Sequence, residues 1–157
     1  MRHTIRRIGL TSVARLGCLL SGLAALPPAL SVPGITVAAI QFCPNAGEID
    51  KNLERLSHLI RQATREGARL VVLPEVCDIG YSLPEIKKRA SSSPNPSTRF
   101  FSAMAVEHKI ILVAGVAEQR KQGLYNTALV FDPRGEIVAQ YDKTHLCPFP
   151  PADETKY

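Results

Sequence analysis

A short apolar run that ends in proline and glutamate places the strongest constraint on this chain. Residues 70–73 are all aliphatic, which is typical of a strand buried on both faces of a sheet. Pro74 has no N–H to donate to a neighbouring strand, so strand pairing should end there. Glu75 then lies at the mouth of the sheet, beside apolar side chains. A carboxylate in that position can act as a general base, and a solvated loop glutamate is the alternative from this stretch alone.

The residues before this run predict a strand and a helix. Residues 35–42 are β-branched and apolar, which indicates a first buried strand. Residues 51–65 repeat leucine, isoleucine and alanine with a period of 3.6, which predicts an amphipathic helix that ends near Gly67. The strand over 69–73 follows. Strand, helix and strand at this spacing predict a right-handed crossover between parallel strands.

Beyond Glu75 the pattern predicts further helices and three more strands. Residues 83–90 are expected to form a short helical or irregular piece, and Ser97 or Thr98 is expected to cap a helix that runs to about His108. Strands are predicted over 109–116, 125–131 and 136–141, with polar turns over 119–123 and 132–135. The whole order predicts a mixed sheet in a layered α/β domain.

Residues 1–34 differ in composition from the rest of the chain. This segment carries four arginines and no acidic residue, since the first acidic residue of the chain is Glu48. Residues 16–26 are small and apolar. It resembles a secretory leader, and Arg6-Arg7 loosely resembles a twin-arginine signal. A mitochondrial presequence and an incorrect translation start are the alternatives. The expected location is therefore periplasmic if the segment is a true signal and cytoplasmic if it is an artefact. The apolar run is too short for a membrane span.

The charge and the cysteines exclude several classes of protein. The net charge of +5 belongs largely to residues 1–34, so no basic nucleic-acid-binding face is indicated on the remaining domain. The four cysteines contain no Cys-x-x-Cys pair, which argues against a disulfide framework or a zinc site. A small metal-binding or redox protein using His145, Cys147 and Cys43 is one rival hypothesis. Cys77, two residues after Glu75, is a candidate nucleophile whose alternative is a small buried side chain.

The final stretch places two more charged residues where chemistry is possible. Lys143 follows the end of a predicted strand, as Glu75 does. Three prolines then hold an extended loop that carries Glu154. A lysine ammonium among carboxylates could stabilise a developing oxyanion. A surface lysine and a tail charge are the alternatives.

Four motifs in this order resemble those of the nitrilase superfamily of carbon–nitrogen hydrolases, over residues 35–157. They are Val37-Ala38-Ala39-Ile40-Gln41, Leu73-Pro74-Glu75 with Gly80-Tyr81, Tyr125-Asn126-Thr127-Ala128, and Tyr141-Asp142-Lys143-Thr144-His145-Leu146. Glu154 lies eleven positions beyond Lys143, the spacing of the second glutamate in members resembling N-carbamoyl-amine amidases and glutamine-hydrolysing domains. The resemblance implies an α/β fold that is half of a four-layer α-β-β-α sandwich.

The resemblance also implies a mechanism. A cysteine thiolate would attack the carbon of a small linear amide, an N-carbamoyl amine or a nitrile, with Glu75 as general base. Lys143 would stabilise the oxyanion, and Glu154 would orient Lys143 and a substrate amine. No metal or organic cofactor is implied. The expected partner is the small-molecule substrate, with a possible homodimer when the fold is complete, and neither nucleic acid nor stable membrane insertion is expected.

The resemblance is incomplete in one respect. The nucleophile of the family follows the second glutamate on a strand-to-helix elbow, and none of the four cysteines occupies that position. The sequence therefore predicts an N-terminal fragment that is inactive alone. An inactive remnant or a binding module with the same half-fold is the alternative. A half-fold would expose a sheet edge and an apolar face, so we expect the isolated chain to be unstable, to aggregate or to need a partner.

Overall fold

The computed structural model describes residues 5–8, 34–148 and 153–156, which form one mixed sheet with helices against it. The strands are β1 (Ile5–Ile8), β2 (Val37–Ile40), β3 (Leu70–Val72), β4 (Ile111–Arg120), β5 (Gly123–Phe131) and β6 (Ile137–Asp142), and they lie side by side in that order. The helices are α1 (Ile49–Arg65), α2 (Leu83–Arg89) and α3 (Pro96–His108), and a 3₁₀ turn spans Glu154–Lys156.

The predicted parallel crossover and the mixed sheet are confirmed. Strands β2, β3 and β4 run parallel, whereas the pairs β1–β2, β4–β5 and β5–β6 are antiparallel. Helix α1 connects β2 to β3 and buries the leucine, isoleucine and alanine positions that the periodicity indicated. Its apolar side lies over the sheet because burying each large aliphatic side chain contributes about 1.5–3 kcal/mol.

The core lies on only one face of the sheet. Alternate residues of the central strands, such as Val71, Leu112 and Leu129, are buried under the helices, where Phe101 of α3 packs against Phe131. The intervening residues of the central strands are half-buried or exposed on the opposite face. Within the described residues, no element covers that second face. We call it the open face; its residues are Val72, Ile111, Val113, Ala128 and Val130.

Helix α3 begins earlier than predicted. Asn95, rather than Ser97 or Thr98, is its cap: the Asn95 side chain accepts a hydrogen bond from the Thr98 N–H at 2.9 Å, and the Thr98 hydroxyl accepts one from the Asn95 N–H at 2.9 Å. Pro96 fills the first helical position, where its missing N–H costs nothing. The prediction therefore found the capping region and missed the capping residue.

The predicted turn over 119–123 is wrong in its first half. Strand β4 continues to Arg120 and pairs with Gly123, which leaves only residues 121 and 122 in the turn. Polar residues occupy the end of this strand because their charges are neutralised there. The Arg120 guanidinium contacts the buried Glu118 carboxylate and lies 2.7 Å from Asp142 of β6.

The predicted leader is mostly outside the described residues. Of positions 1–34, the structure describes 5–8, which form β1 against the outer edge of β2, and residue 34. The targeting role of this segment therefore stays a prediction, and Cys18 lies outside the described residues. In the part of the chain that the structure describes, no helix has both the length and the apolar character needed to cross a bilayer.

Candidate active site

The structure brings Glu75, Lys143 and Glu154 together at one end of the sheet. The Lys143 ammonium lies 2.9 Å from Glu75 Oε1 and 2.8 Å from Glu154 Oε2. The first pair joins residues 68 positions apart in the chain. Glu75 follows β3, Lys143 follows β6, and Glu154 begins the 3₁₀ turn. The three candidate residues thus form a single ion-paired cluster.

The backbone around Glu75 is held tightly against β4. The Leu73 N–H donates to the Val113 carbonyl at 2.8 Å, and the Cys77 N–H donates to the Gly115 carbonyl at 3.0 Å. Between them Val76 is completely buried with a φ of 44°, a left-handed conformation that is costly for a β-branched residue. The strained residue therefore directly follows Glu75, whose side chain pairs with Lys143.

Lys143 is fixed by both its backbone and its side chain. Its N–H donates to the Asn126 carbonyl at 2.9 Å, which ties the residue to β5. Burial of the side chain lowers the pKa of Lys143, but hydrogen bonds to Glu154 and Glu75 and the charges of both carboxylates outweigh burial and raise that pKa above its ordinary value. The ammonium is therefore charged throughout the neutral range.

Glu154 has no exposed surface, and its carboxylate is fully hydrogen-bonded. It accepts from Lys143, from the Tyr81 hydroxyl, from the Cys147 N–H at 2.6 Å and from Asn126 Nδ2 at 2.7 Å. Burial raises the pKa of Glu154, but these donors lower it to about 2. The anion is thus well placed to orient Lys143. It has no free surface in the described structure for the predicted contact with a substrate amine.

Two residues that contact the cluster were not assigned a role from the sequence. Asn126 donates to Glu75 Oε1 at 2.6 Å as well as to Glu154, and Tyr81 donates to Glu154. Both residues lie inside the motifs quoted above, which is the only sequence signal that could have singled them out. Their partners are 28 to 73 positions away, so no local pattern shows the contacts.

A cavity of about 370 Å³ lies beside the cluster on the open face. Glu75, Asn126 and Lys143 provide polar groups in its lining, and the rest is mainly apolar: Val72, Leu73, Val113, Gly115, Thr127, Ala128 and Tyr141. A carboxylate and an ammonium 2.9 Å apart can accept a proton and stabilise negative charge at a single reacting carbon. The arrangement therefore suits acyl transfer at an amide or a related group.

The cysteines and the proposed metal ligands do not form a second site. Cys77 is completely buried, and burial, together with the charge of Asp78, raises the pKa of its thiol well above the ordinary value. It is therefore a small buried side chain rather than a nucleophile. Cys43 is exposed, and Cys147 is partly exposed. Among the residues whose placement is described, no three His, Cys, Asp or Glu side chains could hold a metal ion together.

Comparison with known proteins agrees with this geometry. A family model described as carbon-nitrogen hydrolase matches residues 36–157. A nitrilase of Pyrococcus abyssi is 39% identical over 116 residues, and an omega-amidase of Homo sapiens is 38% identical over 96 residues. These matches cover 71% and 60% of this chain, but only 44% and 35% of the relatives.

Solved structures give the same result. A nitrilase-superfamily member from Saccharomyces cerevisiae superposes with a TM-score of 0.66 at 31% identity, covering 71% of this chain and 45% of its own. A carbon-nitrogen hydrolase from Helicobacter pylori gives a TM-score of 0.65 at 28% identity, covering 78% of this chain and 44% of its own. The fold is therefore half of a nitrilase-like fold. The chain belongs to the carbon-nitrogen hydrolases of the nitrilase superfamily and spans less than half the length of these relatives.

Proposed function

We propose that this chain provides the acid–base half of a hydrolase that acts on a small linear amide or an N-carbamoyl amine. The observation that carries the proposal is the position of the Lys143 ammonium, within 2.9 Å of two carboxylates that differ in exposure. Glu75, with 44% of its side chain exposed, can reach a substrate, whereas Glu154 is fully buried. One carboxylate is thus available for proton transfer, and the other holds the lysine.

In the proposed reaction, Glu75 accepts the proton of a cysteine thiol, and the sulfur bonds to the amide carbon. The carbonyl electron pair moves to oxygen, where the Lys143 ammonium stabilises the negative charge. The carbon–nitrogen bond then breaks, the proton passes from Glu75 to nitrogen, and the amine departs. Water then gives a proton to Glu75 while its oxygen bonds to the thioester carbon. The carbon–sulfur bond breaks, Glu75 returns the proton to the leaving sulfur, and a carboxylic acid and the free thiol result.

We place the nucleophile outside the cysteines described here. Cys77 is enclosed, and its high pKa opposes formation of a thiolate. Cys147 contributes its backbone N–H to Glu154, and Cys43 is exposed near the start of α1. We therefore assign the attacking sulfur to a part of the fold outside the stretch that this chain shares with its longer relatives, and we expect the 157-residue chain alone to be inactive.

The test measures ammonia release by two proteins in parallel. One is the product isolated from its natural source, with its length fixed by intact mass, and the other is the 157-residue chain. Both receive small linear amides, N-carbamoyl amines and nitriles. We expect hydrolysis by a natural product that carries a further cysteine, and none by the chain alone. Activity of the chain alone would show that the nucleophile lies within it and would overturn that part of the proposal.

Matched variants of the active product identify the acid–base residues. Glu75→Gln and Lys143→Met should each lower kcat by at least about a hundredfold, since each removes a proton-transfer or oxyanion-stabilising group. Glu136→Gln and Lys121→Met change exposed residues of two turns and should leave kcat unchanged. A natural product that hydrolyses none of the substrates would favour the alternative of an inactive remnant or a binding module.

A further inference from the structure

We propose that Asn126 is a positioning residue whose side-chain amide holds Glu75 and Glu154 on either side of Lys143. The inference rests on the proposed function of those three residues. It starts from two short hydrogen bonds made by the same nitrogen: Asn126 Nδ2 lies 2.6 Å from Glu75 Oε1 and 2.7 Å from Glu154 Oε1. A primary amide carries two N–H groups, so each carboxylate receives its own proton donor.

The backbone of Asn126 contacts the third member of the cluster. Its carbonyl accepts the Lys143 N–H at 2.9 Å. Asn126 therefore contacts the candidate base, the oxyanion-stabilising lysine and the second glutamate at once. The residue is itself well fixed, because it is buried in β5 and pairs in register with Ala117 of β4. Its side chain can therefore define where both carboxylates lie.

The chemistry of an amide suits this role better than that of a charged group. The cluster contains two carboxylates and one ammonium, so it carries one net negative charge. Asparagine donates to both anions without adding a charge, whereas aspartate would add a third carboxylate and lysine a competing ammonium. Without the amide, the half-exposed Glu75 would lose its hydrogen bond to Asn126, keep its ion pair with Lys143 and be able to turn toward solvent. Lys143 would then lose one of the two carboxylates that raise its pKa.

The reactivity of Lys143 toward an amine reagent tests this inference. The protein, produced at the length of its natural product, is labelled with a small acetylating reagent at several times, and mass spectrometry gives the rate at each lysine. Only the neutral amine reacts, so a lysine with a raised pKa reacts slowly. In Asn126→Leu we expect the rate at Lys143 to rise about tenfold, the change that one pKa unit produces. The rates at the exposed Lys51 and Lys121 act as internal references.

A second buried asparagine serves as the matched control. Asn52 is also completely buried and donates to the Asn45 and Asp78 carbonyls at 2.7 and 2.8 Å, in a region without Lys143. Asn52→Leu should lower stability and leave the rate at Lys143 unchanged. Asn126→Ser, which is smaller and polar, repeats the test if the leucine variant does not fold. An unchanged Lys143 rate in a folded Asn126 variant would overturn the proposal.

A measurement on the unmodified chain needs no variant. If both amide protons of Asn126 are bound to carboxylates, both should exchange slowly with solvent in nitrogen-15 NMR spectra. Rapid exchange of either proton would contradict the proposed geometry. Neither experiment requires catalysis, so the outcome is separate from that of the hydrolysis assays. Suppose that no hydrolysis is found, but acetylation of Lys143 is tenfold faster in Asn126→Leu. That result would reject the enzyme function and retain the positioning role of Asn126.

Discussion

At Gly115 the absence of a side chain allows β4 to approach the candidate base. A Cβ added there would lie 2.6 Å from Glu75 Cα and 2.8 Å from the Pro74 carbonyl oxygen, both of them backbone atoms that cannot swing aside. The cluster therefore depends on a residue that makes no side-chain contact with it. Gly115 is required because the backbone of β4 comes close to that of Pro74 and Glu75, not because its φ is unusual. Only the lack of space for a Cβ therefore disfavours alanine.

We predict that Gly115→Ala destabilises the chain by about 1–3 kcal/mol, the usual cost of overpacking, and moves Glu75 away from Lys143. Gly34→Ala is the control, since nothing lies within 4 Å of a Cβ built at that position. Urea unfolding followed by circular dichroism measures both variants. Equal midpoints for the two would show that the β4 backbone can relax at no cost.

The buried Glu154 predicts a defined pH dependence of stability. Its folded-state pKa of about 2 lies below the ordinary 4.5, so the anion stabilises the fold fully above about pH 5, and this contribution is lost as the pH falls toward 2. The shift corresponds to about 3 kcal/mol. Glu154→Gln should therefore be less stable than the unmodified chain at pH 7, with a difference that shrinks below pH 5. The pKa of Lys143 is raised rather than lowered, so its contribution to stability is present at neutral pH and is lost only in strongly alkaline solution.

Unfolding curves at several pH values between 3 and 8 check this prediction. Glu136→Gln is the control, because the Glu136 side chain is mostly exposed and pairs only with a surface arginine in the turn. A stability difference between Glu154→Gln and the unmodified chain that stays constant down to pH 3 would mean that the carboxylate titrates normally.

At the scale of the elements, β4, β5 and β6 are joined by an ionic cluster next to the candidate site. Arg120 contacts Glu118 on its own strand, Thr127 of β5 at 2.9 Å and Asp142 of β6 at 2.7 Å. Asp142 immediately precedes Lys143, so the cluster fixes the strand end from which the lysine departs. Hydrogen bonds to Asp142 and Glu118 raise the pKa of Arg120, which therefore stays charged.

We expect Arg120→Met to cost about 3–5 kcal/mol, because it leaves the buried Glu118 carboxylate without its cation. Arg134→Met is the matched control: the Arg134 side chain is 73% exposed in the β5–β6 turn, and its ion pairs should contribute about 0–1 kcal/mol. Thermal and urea unfolding compare the two. An equally small loss of stability in both variants would show that water reaches the Glu118 carboxylate.

The same elements show how far the sequence could predict the structure. Periodicity and turn residues identified α1 and the parallel strands, because these depend on local patterns of apolar residues. The continuation of β4 through Glu118 and Arg120 was missed, since polar residues look like a turn until their cross-strand partners are known. Motif resemblance singled out Glu75, Lys143 and Glu154, and their catalytic roles stay predictions, whereas the contacts of Asn126 and Tyr81 with them became visible only in the tertiary structure.

At the scale of the whole molecule, the open face and the outer edge of β6 are the surfaces through which we expect the isolated chain to associate. Every residue of β6 except Asp142 is exposed, including Ile137, Val138 and Tyr141. An exposed strand edge with apolar side chains is a template for association. The expected instability or aggregation of the isolated chain thus has a specific location.

We predict that Val138→Lys reduces self-association of the purified chain, because a charge on an edge strand opposes pairing with a second edge. Gln122→Lys adds the same charge in the β4–β5 turn and should have little effect. Light scattering over a concentration series measures both. A sharp, reversible two-state melt of the monomer, independent of concentration, would contradict the expectation of an unstable isolated chain.

The ion-paired cluster also has a consequence for the order of folding. Three of its contacts join residues 51, 68 and 73 positions apart, so these three cannot form within a local segment. Closing such long loops is slow compared with forming a helix or a hairpin. During synthesis, Glu75 leaves the ribosome before Asn126, Lys143 and Glu154 do. Its contacts with them can therefore form only after those residues have emerged. We therefore expect the candidate site to form late in folding, after the strands next to Glu75, Asn126 and Lys143 have paired.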